Sequence, residues 1–250
     1  MIIDLENVSL QLNRSIILKN INLKVNQGET IVLVGKNGSG KTMLLKTIVG
    51  LYKPSEGLVK VFDKDIYQIS KEEKNIIFRK TGYVFQKSGL FDSLSIAENV
   101  MFSIQRFAPE SRETMLQKAI ELLKSAGLSN VENKLPSELS GGMQKRAGIA
   151  RAIAMDPTML LMDDPTAGLD PVLSDAIAEL IISIRERLNS AIIVVTHDLK
   201  IARKLAHKIG LMHEGKLIEL MNTEEFMSTD NEYIKQFRTG AMEGPIAVLD

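Results

Sequence analysis

The stretch Gly35 to Thr47, GKNGSGKTMLLKT, sets three glycines within six residues, follows them at once with Lys41 and Thr42, and runs into a segment with helical apolar spacing. A glycine weakens a helix by about 1 kcal/mol relative to alanine, so glycines gathered just ahead of one serve more than packing. Gly35, Gly40, Lys41 and Thr42 fit G-x-x-x-x-G-K-[ST], and the preceding apolar run TIVLVG reads as a buried strand. In that context the glycines, with Asn37, Gly38 and Ser39 between them, let backbone N–H groups wrap a phosphate at the positive end of the helix. Lys41 then reaches the outer phosphates and the Thr42 hydroxyl binds Mg²⁺.

Working outward, 250 residues with 44% hydrophobic composition allow one α/β domain or two small ones. Thirty-one basic and 31 acidic residues balance, so no global positive field holds nucleic acid or an anionic bilayer. The absence of cysteine removes disulfides, thiolate catalysis and Cys-rich zinc sites together. His197, His207 and His213 are too scattered to suggest a metal site. The start, MIIDLENVSL, lacks a basic segment followed by an apolar one, and no stretch approaches the ~18 apolar residues of a membrane span. The expectation is a chain neither secreted nor membrane-embedded by its own sequence.

Along the chain, IIDLENVSLQL and LKNINLKV alternate apolar and polar, which predicts two strands before TIVLVG. A helix from about Lys41 stops at Gly50, GLVKVF is another strand, Ser70 with Glu73 opens a helix, and TGYVFQ is a strand. From Ser88 to Met155 three helical segments follow one another, one of them capped by Ser95 with Glu98, and predict a helical insert. TMLLMDD, a helix with Asp170 as N-cap and Pro171 first, AIIVVTH, and a helix from about Asp198 then restore strand and helix alternation. That pattern predicts a mainly parallel sheet. IGLMHEGKLIEL reads as a hairpin turning at Glu214-Gly215, with a short tail after it.

A phosphate loop needs a carboxylate for Mg²⁺ at the end of a buried strand, and MLLMD supplies Asp163. Asp164 follows where a general base or water-positioning group would sit. Read alone, Asp163-Asp164-Pro165 is as consistent with a capping turn. LSGGMQKRA places Ser140, Gly141 and Gly142 at a second helix N-terminus suited to an anion. Gln86 ends a strand where its amide can reach a metal or water. His197 ends AIIVVTH at the edge where ligands of open α/β sheets collect, although a lone histidine there is more often structural than catalytic.

Taken in order, GKNGSGKT, the Gln86 strand end, LSGGM, MLLMDD, the Gly168-Leu169-Asp170 turn and His197 resemble the nucleotide-binding subunit of ATP-binding cassette (ABC) transporters across nearly the whole chain. The resemblance implies an α/β P-loop NTPase core with a mainly parallel sheet, an N-terminal antiparallel β subdomain and the helical subdomain inserted at about 88–155. It implies one ATPase domain over 1–240 and a terminal segment, 241–250, that contacts the partner ATPase. Two subunits would close head to tail around two ATP molecules with Mg²⁺. Ser140, Gly141 and Gly142 would then act in trans, Thr42, Gln86 and Asp163 would hold the metal, Asp164 would position or deprotonate water, His197 would contact the γ-phosphate, and Asp170 would link the two sites. A separate transmembrane permease would receive the force through a coupling helix set against the helical insert, which puts this chain at the cytoplasmic face of the inner membrane. "FQKSGLFDSLSIAENV", "PSELSGGMQKRAGIARAIAMDP" and "FRTGAMEGPI" resemble the lipid-trafficking ATPases of the Mla and Mce envelope systems. They imply phospholipid as cargo and an Mce-type lipid-binding subunit, with import of a small polar solute as the alternative. By composition alone Phe237 to Ile246 is a disordered end.

Two residues depart from the family pattern. Asp164 stands where a glutamate is usual, which retracts the carboxylate by about one bond, ~1.5 Å, and predicts slow but real hydrolysis. A purely regulatory subunit, inert because of Asp164, is the competing case. The first aromatic is Tyr52, past the hairpin that usually supplies an adenine-stacking ring, which leaves Leu12 or Arg14 to cover the base.

Overall fold

A computed structural model describes residues 1–108 and 110–247. In chain order the elements are β1 (Ile3–Leu12), β2 (Ser15–Val25), β3 (Thr30–Val34), α1 (Lys41–Ile48), β4 (Glu56–Val61), β5 (Lys64–Asp65), α2 (Lys71–Arg79), β6 (Thr81–Val84), α3 (Ile96–Phe107) and α4 (Arg112–Ser125). After a 3₁₀ turn at Pro136–Glu138 come α5 (Gly141–Ala152), β7 (Met159–Asp163), α6 (Pro171–Leu188), β8 (Ala191–Thr196), α7 (Leu199–Leu205), β9 (Lys208–His213), β10 (Lys216–Asn222), α8 (Thr223–Ser228) and α9 (Glu232–Thr239). Contacts divide the chain into two compact units, Met1–Ser70 with Ile192–Asp250, and Lys71–Ala191.

In the first unit β1 pairs antiparallel with β2 and β4; Ile3 and Leu5 are buried in one phase and, after a register shift at Asn7, which sits at φ 52°, Val8 and Leu10 in the next. β3 is buried along its whole length and lies parallel to both β8 and β9. Strands covered on both faces need continuous apolar runs, which is why TIVLV and AIIVVT show no alternation. β10 returns antiparallel on β9 through Glu214 and Gly215, both at positive φ (45° and 79°), as the hairpin reading expects.

Beyond β10 the structure departs from the short tail expected there, because α8 and α9 form. Phe226 anchors α8 with none of its surface exposed, and Asn231 caps α9 by accepting from the Tyr233 and Ile234 N–H groups at 3.0 and 3.3 Å. Both helices are short, and α9 also buries Ile234 completely. Phe237, expected in a disordered end, lies in α9. Gln236, 5% exposed, then clasps the chain as it returns: its Oε1 accepts from the Ile246 N–H at 2.7 Å and its Nε2 donates to the Ile246 carbonyl at 2.9 Å. Residues 248–250 of the expected partner-contacting tail lie outside the described residues.

In the second unit β6 and β7 run parallel, and β7 is again buried throughout. The helical insert expected over 88–155 consists of α3, α4 and α5, which pack on one another around Val100, Ile104, Ala119, Leu122 and Ala147. The Ser95 and Glu98 capping box that opens α3 is present on both sides. No helix among the described residues is long and apolar enough to cross a membrane.

Candidate nucleotide site

β3 delivers the chain to Gly35 at a left-handed φ of 153°, where a Cβ would lie 2.2 Å from the Met212 carbonyl oxygen on the neighbouring strand. Only glycine fits so close an approach. The loop curls around its own ammonium group: Lys41 Nζ donates to the carbonyls of Gly35 and Lys36 at 2.7 and 2.8 Å. Gly40 is the N-cap of α1 and brings no side-chain acceptor to the positive end of that helix. Thr42 is the second residue of α1 and half-buried. A cavity of about 330 Å³ borders Lys36, Asn37, Gly38 and Ser39, with His213, Glu214 and Ala247 on its other sides. Lys36 Nζ donates to the Ala247 carbonyl there.

Register places His197 without any appeal to its own chemistry. Val34 pairs with Thr196 across the parallel strands β3 and β8, so His197 leaves β8 as Gly35 leaves β3. Its exposure leaves the ring accessible at the same sheet edge as the phosphate loop.

The second unit repeats this arrangement with other residues. Val84 pairs with Met162, so Gln86 leaves β6 beside the turn where Asp163 and Asp164 leave β7. Both carboxylates are buried, and Asp164 sits at a φ of 43°, a conformation that Asp tolerates better than most residues. Between these strand ends lies Lys145 of α5, whose Nζ donates to the Gln86 carbonyl and, at 3.4 Å, to the Asp164 carbonyl. Burial lowers the Lys145 pKa, while the Asp164 and Asp163 charges work against that shift. Tyr83 of β6 has a buried hydroxyl without a hydrogen-bond partner, and burial first, then the Asp163 charge, pushes its pKa up.

Ser140 is the N-cap of α5, accepting from the Met143 N–H at a long 3.4 Å, and Gly141 next to it is exposed with open space where a Cβ would go. Asp170 caps α6, its Oδ1 accepting from the Val172 and Leu173 N–H groups at 2.9 and 3.0 Å. An apolar groove of about 450 Å³ opens along Phe78, Tyr83, Phe85, Phe91, Phe102 and Met155. Phe85 and Phe91 remain 45% and 44% exposed, and the Arg151 guanidinium stands 5.8 and 5.9 Å from their rings. Burial lowers the Arg151 pKa, and its donors go to the Ser88 and Gly89 carbonyls.

These residue types fit a magnesium nucleotide. Mg²⁺ held through phosphates takes one or two carboxylates rather than a protein cage, and among the described residues no group of three or more His, Cys, Asp or Glu side chains could hold a metal alone. Thr42 and the phosphate loop belong to the first unit, and Gln86 and Asp163 to the second. Sequence reading overlooked Lys145, Arg151 and Tyr83. The first two carry a faint signal, standing with Gly148 at three-residue spacing on one face of α5.

The family model described as ABC transporter matches residues 18–167. The probable ribonucleotide transport ATP-binding protein mkl of Mycobacterium leprae is 32% identical over 248 residues, covering 99% of this chain and 72% of that protein. The chloroplastic protein Trigalactosyldiacylglycerol 3 of Arabidopsis thaliana is 36% identical over 246 residues, covering 92% and 71% respectively. Among solved structures, a dimeric ATP-binding cassette in a post-hydrolysis state bound to ADP and Pi superposes with a TM-score of 0.81 at 34% identity, covering 88% of this chain and 98% of that one.

Proposed function

This chain belongs to the ABC transporter family and is an ATP-hydrolysing subunit working with Mg²⁺; from that premise we propose that it drives phospholipid trafficking across a cell envelope. Cassettes of this kind work as dimers with separate transmembrane permease subunits. The single observation that favours lipid is the similarity, along most of the chain, to the chloroplast protein named for a galactolipid. The mycobacterial relative named for ribonucleotide transport favours the second reading, a small polar solute.

In the proposed reaction Lys41 and the loop amides hold the phosphates, with Ser140, Gly141 and Gly142 of a second copy closing over them. Thr42, Gln86 and Asp163 hold Mg²⁺, which supplies charge neutralisation on the phosphate oxygens. Asp164 orients or deprotonates the attacking water, His197 contacts the γ-phosphate, and Asp170 links the paired sites. The groove rimmed by Phe85 and Phe91 takes the coupling helix of the permease, so the chain works peripherally on the cytoplasmic face. An Mce-type lipid-binding subunit completes the assembly.

The test is to purify the chain with its own membrane partner, measure ATP turnover, and identify co-purified small molecules by mass spectrometry. Phospholipid in the complex, with hydrolysis abolished by Lys41→Ala and raised ~10²-fold by Asp164→Glu, supports the reading. A polar solute in place of lipid moves the cargo to the alternative. No gain in Asp164→Glu refutes the short-carboxylate account of the rate.

A further inference from the structure

Lys145 is 7% exposed, and its ammonium group donates to two backbone carbonyls. Those carbonyls belong to Gln86 and Asp164, 59 and 19 residues away in the chain. A buried ammonium is costly to keep, so a lysine retained only to fill space is a poor choice beside methionine. The two residues it touches are those that bear the metal-directed amide and the water-directed carboxylate.

The rest of α5 strengthens that link. One turn beyond Lys145, a Cβ on Gly148 would lie 2.9 Å from the Ser88 carbonyl oxygen, so the helix backbone rests on the loop that follows Gln86. A further turn on, Arg151 donates to the Ser88 carbonyl at 3.2 Å and to the Gly89 carbonyl. Three positions on one face therefore tie α5 to residues 86–89, and only Lys145 also reaches the Asp164 turn. Asp164 holds a left-handed φ of 43°, and contacts to its carbonyl help to fix that turn. Its carbonyl accepts from the Ala167 N–H at 3.1 Å and from Lys145.

We propose that Lys145 is a positioning residue that couples the Ser140 end of α5, engaged on the partner's nucleotide, to the backbone of Gln86 and Asp164 in its own chain. A shift of α5 when Ser140 meets a phosphate is carried through one ammonium group to both strand ends at once, so each subunit's hydrolytic residues settle only when the other subunit's nucleotide is gripped. The inference rests on the reading that Ser140, Gly141 and Gly142 act in trans.

The experiment uses the full chain in complex with its membrane partner and compares wild type, Lys145→Met, Lys145→Arg and Ser140→Arg. Hydrogen exchange in the ligand-free state comes first: Lys145→Met should speed exchange at residues 84–89 and 163–167 while α3 and α4 stay unchanged. In turnover, Lys145→Met should lower kcat ~10²-fold, hold KM for ATP within about threefold, and raise the half-saturating Mg²⁺ concentration ~10-fold, with Lys145→Arg recovering most of each. If Lys145→Met fails to fold, the same readouts on Lys145→Arg decide, because a guanidinium that keeps both carbonyl contacts must leave exchange at 84–89 and 163–167 near wild type. Unaltered exchange at both segments in Lys145→Met, or a rate loss that only tracks thermal stability, overturns the proposal. Ser140→Arg separates the premise: if that variant turns over like wild type, the trans reading fails whatever Lys145 does.

Discussion

Two helices in this chain begin at glycines prepared for an anion, and they are prepared in opposite ways. At α1 the chain supplies its own cation, since Lys41 is folded into the loop against the Gly35 and Lys36 carbonyls, and Gly35 is pressed against Met212. At α5 the nearest lysine on the helix is turned inward to Gln86 and Asp164, while Ser140 and Gly141 are exposed and space is open where a Gly141 Cβ would go. The first site carries its own cation beside the helix end. The second presents only a hydroxyl and amide dipoles, so it can grip a phosphate already held by a cation from another source. The proposed head-to-tail pair of identical chains would draw on that asymmetry.

The sharpest way to break this contrast is Gly35→Ala. Its Cβ would sit 2.2 Å from a backbone oxygen at a φ that L residues avoid, so it should cost about 3 kcal/mol in denaturant unfolding or prevent folding. A variant as stable as wild type would mean that the loop is not held against β9. Gly141→Ala should do the reverse, because space for a Cβ is open and alanine favours a helix: a gain of about 0.5–1 kcal/mol in stability with a loss of ATP turnover. Turnover unchanged in that variant would show that no ligand approaches Gly141. Ser140→Ala should move stability least, under ~1 kcal/mol since its cap bond is already 3.4 Å long, yet weaken ATP-dependent dimerisation measured by light scattering. A large stability loss with intact dimerisation would make Ser140 a cap and nothing more.

The electrostatics around the two strand ends add a reason for keeping a lysine rather than a neutral residue at position 145. Asp163 and Asp164 are both buried at the end of β7, and the Lys145 cation beside them offsets part of their mutual repulsion. Tyr83 contributes the apolar counterpart, joining the groove rim through its ring, 4.6 Å from Phe85, to the field of Asp163. An occupant of that groove would press on the strand that leads to Gln86.

Much of this architecture is legible from residues in order. The phosphate loop is local chemistry, with its glycines, lysine and threonine within eight positions, and TIVLV, MLLMD and AIIVVT declare themselves buried strands because parallel strands are covered on both faces. Ser95 with Glu98, Asp170 with Pro171, and Glu214-Gly215 mark ends and turns through bonds that close within a few residues. Tertiary structure alone decided what depends on distant partners. The β3 and β8 register sets His197 beside Gly35, the return of the chain over α9 lets Gln236 clasp Ile246, and the packing of α5 aims Lys145 at carbonyls 59 and 19 residues away. Caps, turns and apolar periods are short-range interactions written into neighbouring residues, whereas a side chain's reach to a remote carbonyl exists only once the backbone has brought the two together.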